Sequence, residues 1–297
     1  MPLVIDQVMR DTYALYHGDA TEVIQGIPDA SIDYIIYSPP FSSLYCYSAS
    51  ERDYGNCRGD EEFFAHYGFL SRELMRVLKP GRLLSFHCML LPSLKAHNGY
   101  IGLRDFRGDL IRHHQADGMI FHSEVTIWKD PVVSMQRTKA LGLLYKQLRK
   151  DSAMSRQGIA DYLVTMRKPG VNPDPVTKDA DDFPLDTWQR YASPVWMDIN
   201  QSRTLQRTSA RDARDERHIA PLQLDVIERC VALWTNPGDV VLDPFMGLAS
   251  TGYCAIRMER RFVGIELKDS YYQQAAQNMR QSMQQQELFA VQSENTP

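Results

Sequence analysis

The sequence predicts an α/β fold built on a mixed, mostly parallel sheet. Three observations carry this. Apolar strand-like runs alternate with amphipathic helical stretches through the first hundred or so residues. The same alternation resumes near residue 218, and the stretch between lacks it. At 297 residues, 43% hydrophobic and 24% charged, the chain is long enough to bury one large core plus a smaller lobe.

Tyr13 to Tyr16 reads as a strand closed by the turn His17-Gly18-Asp19. A second apolar strand, Tyr34-Ile35-Ile36-Tyr37, runs into Ser38-Pro39-Pro40-Phe41. Phe63, Phe64, Tyr67, Leu70, Leu74, Met75 and Leu78 then recur at helical spacing until Lys79-Pro80-Gly81 stops the helix, and Leu83 to Phe86 forms a strand. A helix around Asp105 to Gln115 and a strand around Phe121 to Trp128 complete the first half.

From about Asp130 to Arg217 the pattern is lost to basic, proline-rich and acidic runs, which reads as an inserted lobe. From Ser134 to Gly170 there are eight Lys or Arg against two acids, Lys139, Lys146, Arg149 and Lys150 among them. Arg203, Arg207, Arg211, Arg214 and Arg217 form a second cluster. One such run is ordinarily a solvated helix face; two in the same half of the chain point to a basic surface, despite a net charge of −4. The expected organisation is therefore 1–129 as one half of the main domain, 130–217 as the lobe, 218–280 as the other half, and 281–297 as a disordered Gln-rich tail.

In that second half, a helix Leu222 to Trp234 precedes the turn Asn236-Pro237-Gly238-Asp239 and the strand Val240-Val241-Leu242. The strand opens into Asp243-Pro244-Phe245-Met246-Gly247, and a further strand, Phe262 to Ile265, ends at Glu266. A glycine turn after one strand and a carboxylate at the tip of the next suit a nucleoside-bearing ligand, since the turn admits close approach and the acid takes ribose hydroxyls. The chain has no GxGxxG and no GxxxxGK[ST]. Asp243 would repel a pyrophosphate but attract a cationic amino group.

Ser38-Pro39-Pro40-Phe41 has a different chemistry. Consecutive prolines donate no backbone N–H, so the loop offers the Ser38 hydroxyl and carbonyl oxygens as acceptors. Two hydrogen bonds accepted from an aromatic amine at tetrahedral angles direct the nitrogen lone pair towards an electrophile. Phe41 offers a ring on which a base can stack. His87, His97, His113 and His114 show no telling spacing to a nucleophile and read as satisfied or surface histidines, and Tyr45-Cys46-Tyr47 reads equally as pocket lining or as packing.

Taken together, these segments resemble the DNA amino-methyltransferases of the permuted β group, in which the Ser/Asp/Asn-Pro-Pro-aromatic motif precedes Asp-Pro-Phe-x-Gly. The resemblance runs from Gly18-Asp19 to about Gln274 and includes Arg76-Val77-Leu78-Lys79-Pro80-Gly81 and Ser193 to Ile199. It implies a Rossmann-like S-adenosylmethionine-dependent methyltransferase fold in which residues 130–217 are the target-recognition lobe. Asp19 would contact the cofactor adenine; Asp243, Pro244, Phe245 and Gly247 would cradle its methionine part, and Glu266 its ribose. Ser38, Pro39, Pro40 and Phe41 would be catalytic, with Lys139, Lys146, Arg149, Lys150, Arg203 and Arg207 binding double-stranded DNA. Serine in the first motif position favours cytosine N4 over adenine N6.

The chain departs from the family wording at Gly247-Leu248-Ala249-Ser250-Thr251, where a second glycine is usual, and at His218, where a Lys-Pro pair is usual. Ala249 admits a non-enzymatic DNA-binding reading. A methyltransferase of RNA or of protein glutamine is the other alternative, against which the order of the motifs counts. No room remains for a nuclease, so a restriction partner would be a separate chain, and a homodimer is compatible with the sequence. Five scattered cysteines without ligand spacing suggest reduced thiols and no metal site. Without a signal-like or bilayer-length apolar run, the expectation is a cytoplasmic protein with no membrane partner.

Overall fold

A computed structural model describes residues 4–41, 54–57, 59–93, 99–138, 144–205 and 222–294. The strands are β1 (Asp6–Met9), β2 (Tyr13–His17), β3 (Ile32–Tyr37), β4 (Leu78–Met89), β5 (Leu91–Ser93), β6 (Gly102–Arg104), β7 (Ile120–Ile127), β8 (Asp161–Arg167), β9 (Val195–Trp196), β10 (Val240–Asp243) and β11 (Arg261–Glu266). Nine of them form one sheet in the order β1-β2-β11-β10-β3-β4-β8-β7-β9, and β5 pairs with β6 in a separate ribbon. β2, β11, β10, β3 and β4 all run parallel. β8 runs against both β4 and β7, and β1 against β2.

Parallel strands covered on both faces read as continuous apolar runs, and Ile32–Tyr37 is buried throughout. Alternate residues feed two cores. Tyr34, Ile36, Val241, Leu163 and Ile127 face the helices Leu224–Trp234, Ser250–Arg257 and Asp269–Glu294. Ile35, Tyr37, Leu84, Phe86 and Val164 face the helices Asp60–Val77 and Phe106–Ala116. The Asp60–Val77 helix buries Phe63, Tyr67, Leu70, Leu74 and Val77, a stripe at helical spacing, and opens on three acids that favour its N-terminus. Pro80 bars its continuation, because the residue before a proline is pushed out of the α region.

At the end of the sheet where these parallel strands begin, a buried ion network holds their register. Arg82 of β4 donates to Asp33 of β3 at 2.8 Å and to Asp239, just before β10, at 2.7 Å. Asp33 also accepts from Lys79 and from the Val240 N–H. Burial alone would raise the Asp33 carboxyl; Lys79, the Val240 N–H and Arg82 outweigh it and keep it below the usual carboxylate range. With their starts clamped together, β3 and β10 end side by side.

Two expectations need correction. The stretch assigned to the lobe contributes β8 and β9 to the main sheet, so 161–167 belongs to the core scaffold. The run Tyr162 to Met166 is a strand bracketed by cations, and its partners, β4 and β7, are distant in sequence. The last helix continues to Glu294, so the residues expected to be disordered are helical from 281 to 294. Gln is a good helix former, and Met279 and Ser282 are buried. Cys88, Cys230 and Cys254 are buried free thiols and Cys57 is buried; Cys46 lies outside the described residues. Among the described residues, no helix is long and apolar enough to cross a membrane.

Candidate active site

The five parallel strands deliver their tips to one edge. β10 leads to β11 on one side and β3 leads to β4 on the other, so the chain diverges between β3 and β10. In open α/β sheets the crevice outside such a divergence is where ligands bind. Leu242 lies opposite Ile35, which places Asp243 and Ser38 at neighbouring strand ends. The Tyr37 and Phe245 rings, 5.9 Å apart, bridge the two tips.

On one side of this crevice stand three carboxylates, from β2, β11 and β10. Asp243 is buried; its Oδ2 accepts from the Thr251 hydroxyl at 2.7 Å and its Oδ1 from the Phe245 N–H at 3.0 Å. Burial pushes its carboxyl up to about 7, even though both hydrogen bonds act to lower it. Glu266 accepts from the Gly247 N–H at 2.9 Å and from the Lys268 N–H at 2.8 Å, spanning the glycine turn. Asp19 caps the short helix Ala20–Val23 by accepting from the Thr21 N–H. Pro244 is buried behind the turn.

Gly247 adopts a left-handed φ of +53°, and a Cβ built there would meet nothing within 4 Å. The turn therefore has open space above it. An open glycine turn ringed by carboxylates fits a ligand that carries an ammonium, a sulfonium and ribose hydroxyls, as S-adenosylmethionine does. Tyr54, which the sequence did not single out, packs edge-on against Phe245 at 5.6 Å and shares a 2.6 Å hydrogen bond with the Thr21 hydroxyl.

On the other side, Pro39 and Pro40 are buried while Ser38 and Phe41 are partly exposed. Phe41 leans over His87, ring centroids 6.3 Å apart, and meets Phe106 edge-on. The Ser38 Oγ lies 3.2 Å from His87 Nδ1. His87 Nε2 lies 3.0 Å from Asp161 Oδ2, and Lys129 Nζ lies 2.5 Å from Asp161 Oδ1. His87 is thus a buried histidine set between Ser38 and Asp161, an arrangement that its position in the sequence did not reveal. Below the loop, Tyr37, Tyr67 and His114 join in a buried hydrogen-bonded group; burial, and then His113, push the His114 imidazole down to about 3.

The basic residues divide. Lys146, Arg149 and Lys150 sit exposed on the short helix Tyr145–Lys150. Arg203 is ion-paired to Glu228 and Asp225, which raise its pKa. Lys168 is used locally: its Nζ donates to the Leu78 carbonyl at 2.7 Å. Lys139, Arg207, His97 and Tyr45 to Tyr47, together with Arg211, Arg214, Arg217 and His218, lie outside the described residues.

Comparison with known proteins gives a consistent result. The DNA methylase family model for N6 and N4 methyltransferases matches residues 32–277. The type II methyltransferase M.BamHI of Bacillus amyloliquefaciens is 26% identical over 86% of this chain, which spans only 55% of that relative's length. The DNA adenine methyltransferase YhdJ of Escherichia coli is 24% identical, with 88% of this chain and 81% of that protein aligned. Among solved structures, PvuII DNA methyltransferase, cytosine-N4-specific, superposes with a TM-score of 0.64 at 18% identity, over 91% of this chain and 87% of that one. A Thermus thermophilus protein described as a DNA modification methylase, complexed with S-adenosyl-L-methionine, superposes with a TM-score of 0.65 at 22% identity, over 91% and 95% of the two chains. These likenesses bear on the fold, and the family match carries the assignment: this chain belongs to the N6/N4 DNA methylase family.

Proposed function

We propose that the protein transfers a methyl group from S-adenosylmethionine to the N4 amino group of a cytosine extruded from double-stranded DNA. The observation that carries this reading is the adjacency of β3 and β10, whose tips hold the acceptor loop and the carboxylate turn at one crevice. When bound, the cofactor supplies an activated methyl group on a sulfonium.

The chain's own groups supply position. Asp243, Phe245 and Gly247 hold the methionine end, Glu266 the ribose, and Asp19 the adenine side. Ser38 Oγ and the Pro39 carbonyl accept the two amine hydrogens and turn the nitrogen lone pair towards the methyl group. Phe41 stacks on the extruded base, an interaction worth about 1–3 kcal/mol. Lys146, Arg149 and Lys150 neutralise DNA phosphates. A neutral hydroxyl in the acceptor position supports cytosine, because the amine becomes cationic only as it attacks and needs no prior deprotonation.

The test is transfer of labelled methyl groups to DNA, followed by digestion to nucleosides. N4-methylcytosine is the expected product. N6-methyladenine would overturn the choice of base, and unlabelled DNA of every sequence tried would overturn the reading itself.

A further inference from the structure

We propose that His87, held by Asp161 and backed by Lys129, sets the polarity of the Ser38 hydroxyl and receives the proton that the target amine releases. This rests on the amino-methyltransferase reading and assigns positioning roles to three residues beyond the acceptor loop.

The sheet brings the groups together. Tyr37 lies opposite Phe86, so the next residues, Ser38 and His87, leave the same face of the sheet. β8 runs the other way, with Leu163 opposite His87 and Asp161 two residues nearer the edge on that same face. Ile127 lies opposite Asp161, and Lys129 follows two residues later. His87 is 8% exposed and Asp161 2%. Burial would raise the Asp161 carboxyl, yet His87 and Lys129 outweigh it and hold it below its ordinary value. The trio stands at the crevice edge, with His87 Nδ1 within reach of the Ser38 hydroxyl.

The polarity follows from the tautomer. A carboxylate facing Nε2 selects the imidazole with its proton on Nε2 and a lone pair on Nδ1. Nδ1 then accepts the Ser38 O–H, which leaves the Oγ lone pairs turned to the crevice, where an amine offers its N–H. The opposite tautomer would donate from Nδ1 to Oγ and present the hydroxyl hydrogen to another donor. A competing bond from Ser38 Oγ to the His87 carbonyl is longer, at 3.4 Å. The Nε2 contact with Asp161 is short, at 3.0 Å, but oblique to the ring N–H, as catalytic contacts in ligand-free proteins often are.

The proton balance is closed. As the amine nitrogen bonds to the methyl carbon, the carbon–sulfur bond breaks and its electron pair stays on sulfur. The nitrogen, now cationic, passes a proton to Ser38 Oγ while the Ser38 hydroxyl proton moves to His87 Nδ1. The resulting imidazolium faces the Asp161 carboxylate and later releases its proton to water. Ser, His and Asp in this order also serve acyl transfer elsewhere, but Pro39 and Pro40 have no N–H with which to build the usual oxyanion hole after the nucleophile.

Imidazole 15N–1H correlation spectra of the ligand-free protein provide the first readout, with His87→Asn identifying the resonance by its loss. The expected signature is an Nε2–H tautomer with an unprotonated Nδ1, disturbed in Asp161→Asn. In single-turnover transfer to DNA, both variants are expected to be slower by about 10- to 100-fold, with the cofactor Kd and the KM for DNA within about twofold of wild type. A wild-type ring protonated at Nδ1, or variants that transfer at the wild-type rate, would overturn the relay alone. A wild-type protein that methylates no DNA would instead remove the functional reading beneath it, and the relay with it.

Discussion

The Thr251 hydroxyl donates to Asp243 Oδ2 at 2.7 Å and so fastens the first turn of the Ser250–Arg257 helix to the tip of β10. The carboxylate at the tip of β10 is therefore a structural anchor, and its protonation has two consequences.

The first is a pH dependence. Asp243 keeps its proton up to about 7 in the fold but releases it near 3.8 in the unfolded chain. Its contribution to stability is fully present below pH 3.8 and is lost as pH rises through about 7, a swing on the order of 4 kcal/mol. Thermal melts of the ligand-free protein from about pH 5 to 8 should fall more steeply than those of Asp243→Asn. Parallel curves would show that the carboxyl is not held neutral. Affinity for the cationic cofactor should move the other way, rising across the same interval as the carboxylate forms.

Separation of binding from chemistry is the second expectation. Ser38→Ala and Pro39→Ala should slow methyl transfer by about 10²-fold, the scale of one lost hydrogen bond to a reacting group, while cofactor affinity by calorimetry stays near wild type. Asp243→Ala should abolish cofactor binding. Equal loss of affinity in all three variants would contradict the two-sided crevice.

Ala249 adopts a left-handed φ of +63° and is fully buried. A residue with a Cβ costs about 1–2 kcal/mol there, and a β-branched one costs more. Ala249→Val should destabilise by about 2 kcal/mol or more, whereas Ala249→Gly should fall within about 1 kcal/mol of wild type, because relief of strain is offset by backbone entropy. Chemical denaturation measures both, and a tolerated valine would sink the argument.

The basic residues should separate by partner. Replacing Lys146, Arg149 and Lys150 together with alanine should weaken DNA binding and lower the salt dependence by up to about three counterions. Arg203→Ala should leave both nearly unchanged and cost about 0.2–1 kcal/mol of stability, since its charge is committed to Glu228 and Asp225 at a partly exposed site. Titrations at several salt concentrations distinguish the two.

Much of the crevice was legible because its two loops follow apolar strands and have compositions that serve little else: Ser38-Pro39-Pro40-Phe41 and Asp243-Pro244-Phe245-Met246-Gly247. Their adjacency was legible only through resemblance, since nothing local to Ile35 or Leu242 announces a partner some two hundred residues away. β8 was missed for a related reason. Its apolar residues sit between Arg156 on one side and Arg167 and Lys168 on the other, and the charges dominated the reading although Lys168 is spent on the Leu78 carbonyl. His87, Asp161 and Lys129 are brought together by strands whose pairings are all long-range, so no spacing could group them. Tyr54 stands apart in sequence from both loops that it supports.

The strand order has a consequence for how the molecule is made. β10 and β11 follow every other strand of the sheet in the chain, yet they sit inside it, between β2 and β3. A nascent chain that has not yet reached Val240 holds two strands with bare facing edges and a gap between them two strands wide. Completion waits for the C-terminal portion to wedge itself into that slot, a step of high contact order that slows folding and leaves sticky edges in the interim. The same architecture makes the molecule a natural candidate for division: two separately expressed fragments, cut ahead of the Leu224–Trp234 helix, would have complementary edges through which to reassemble.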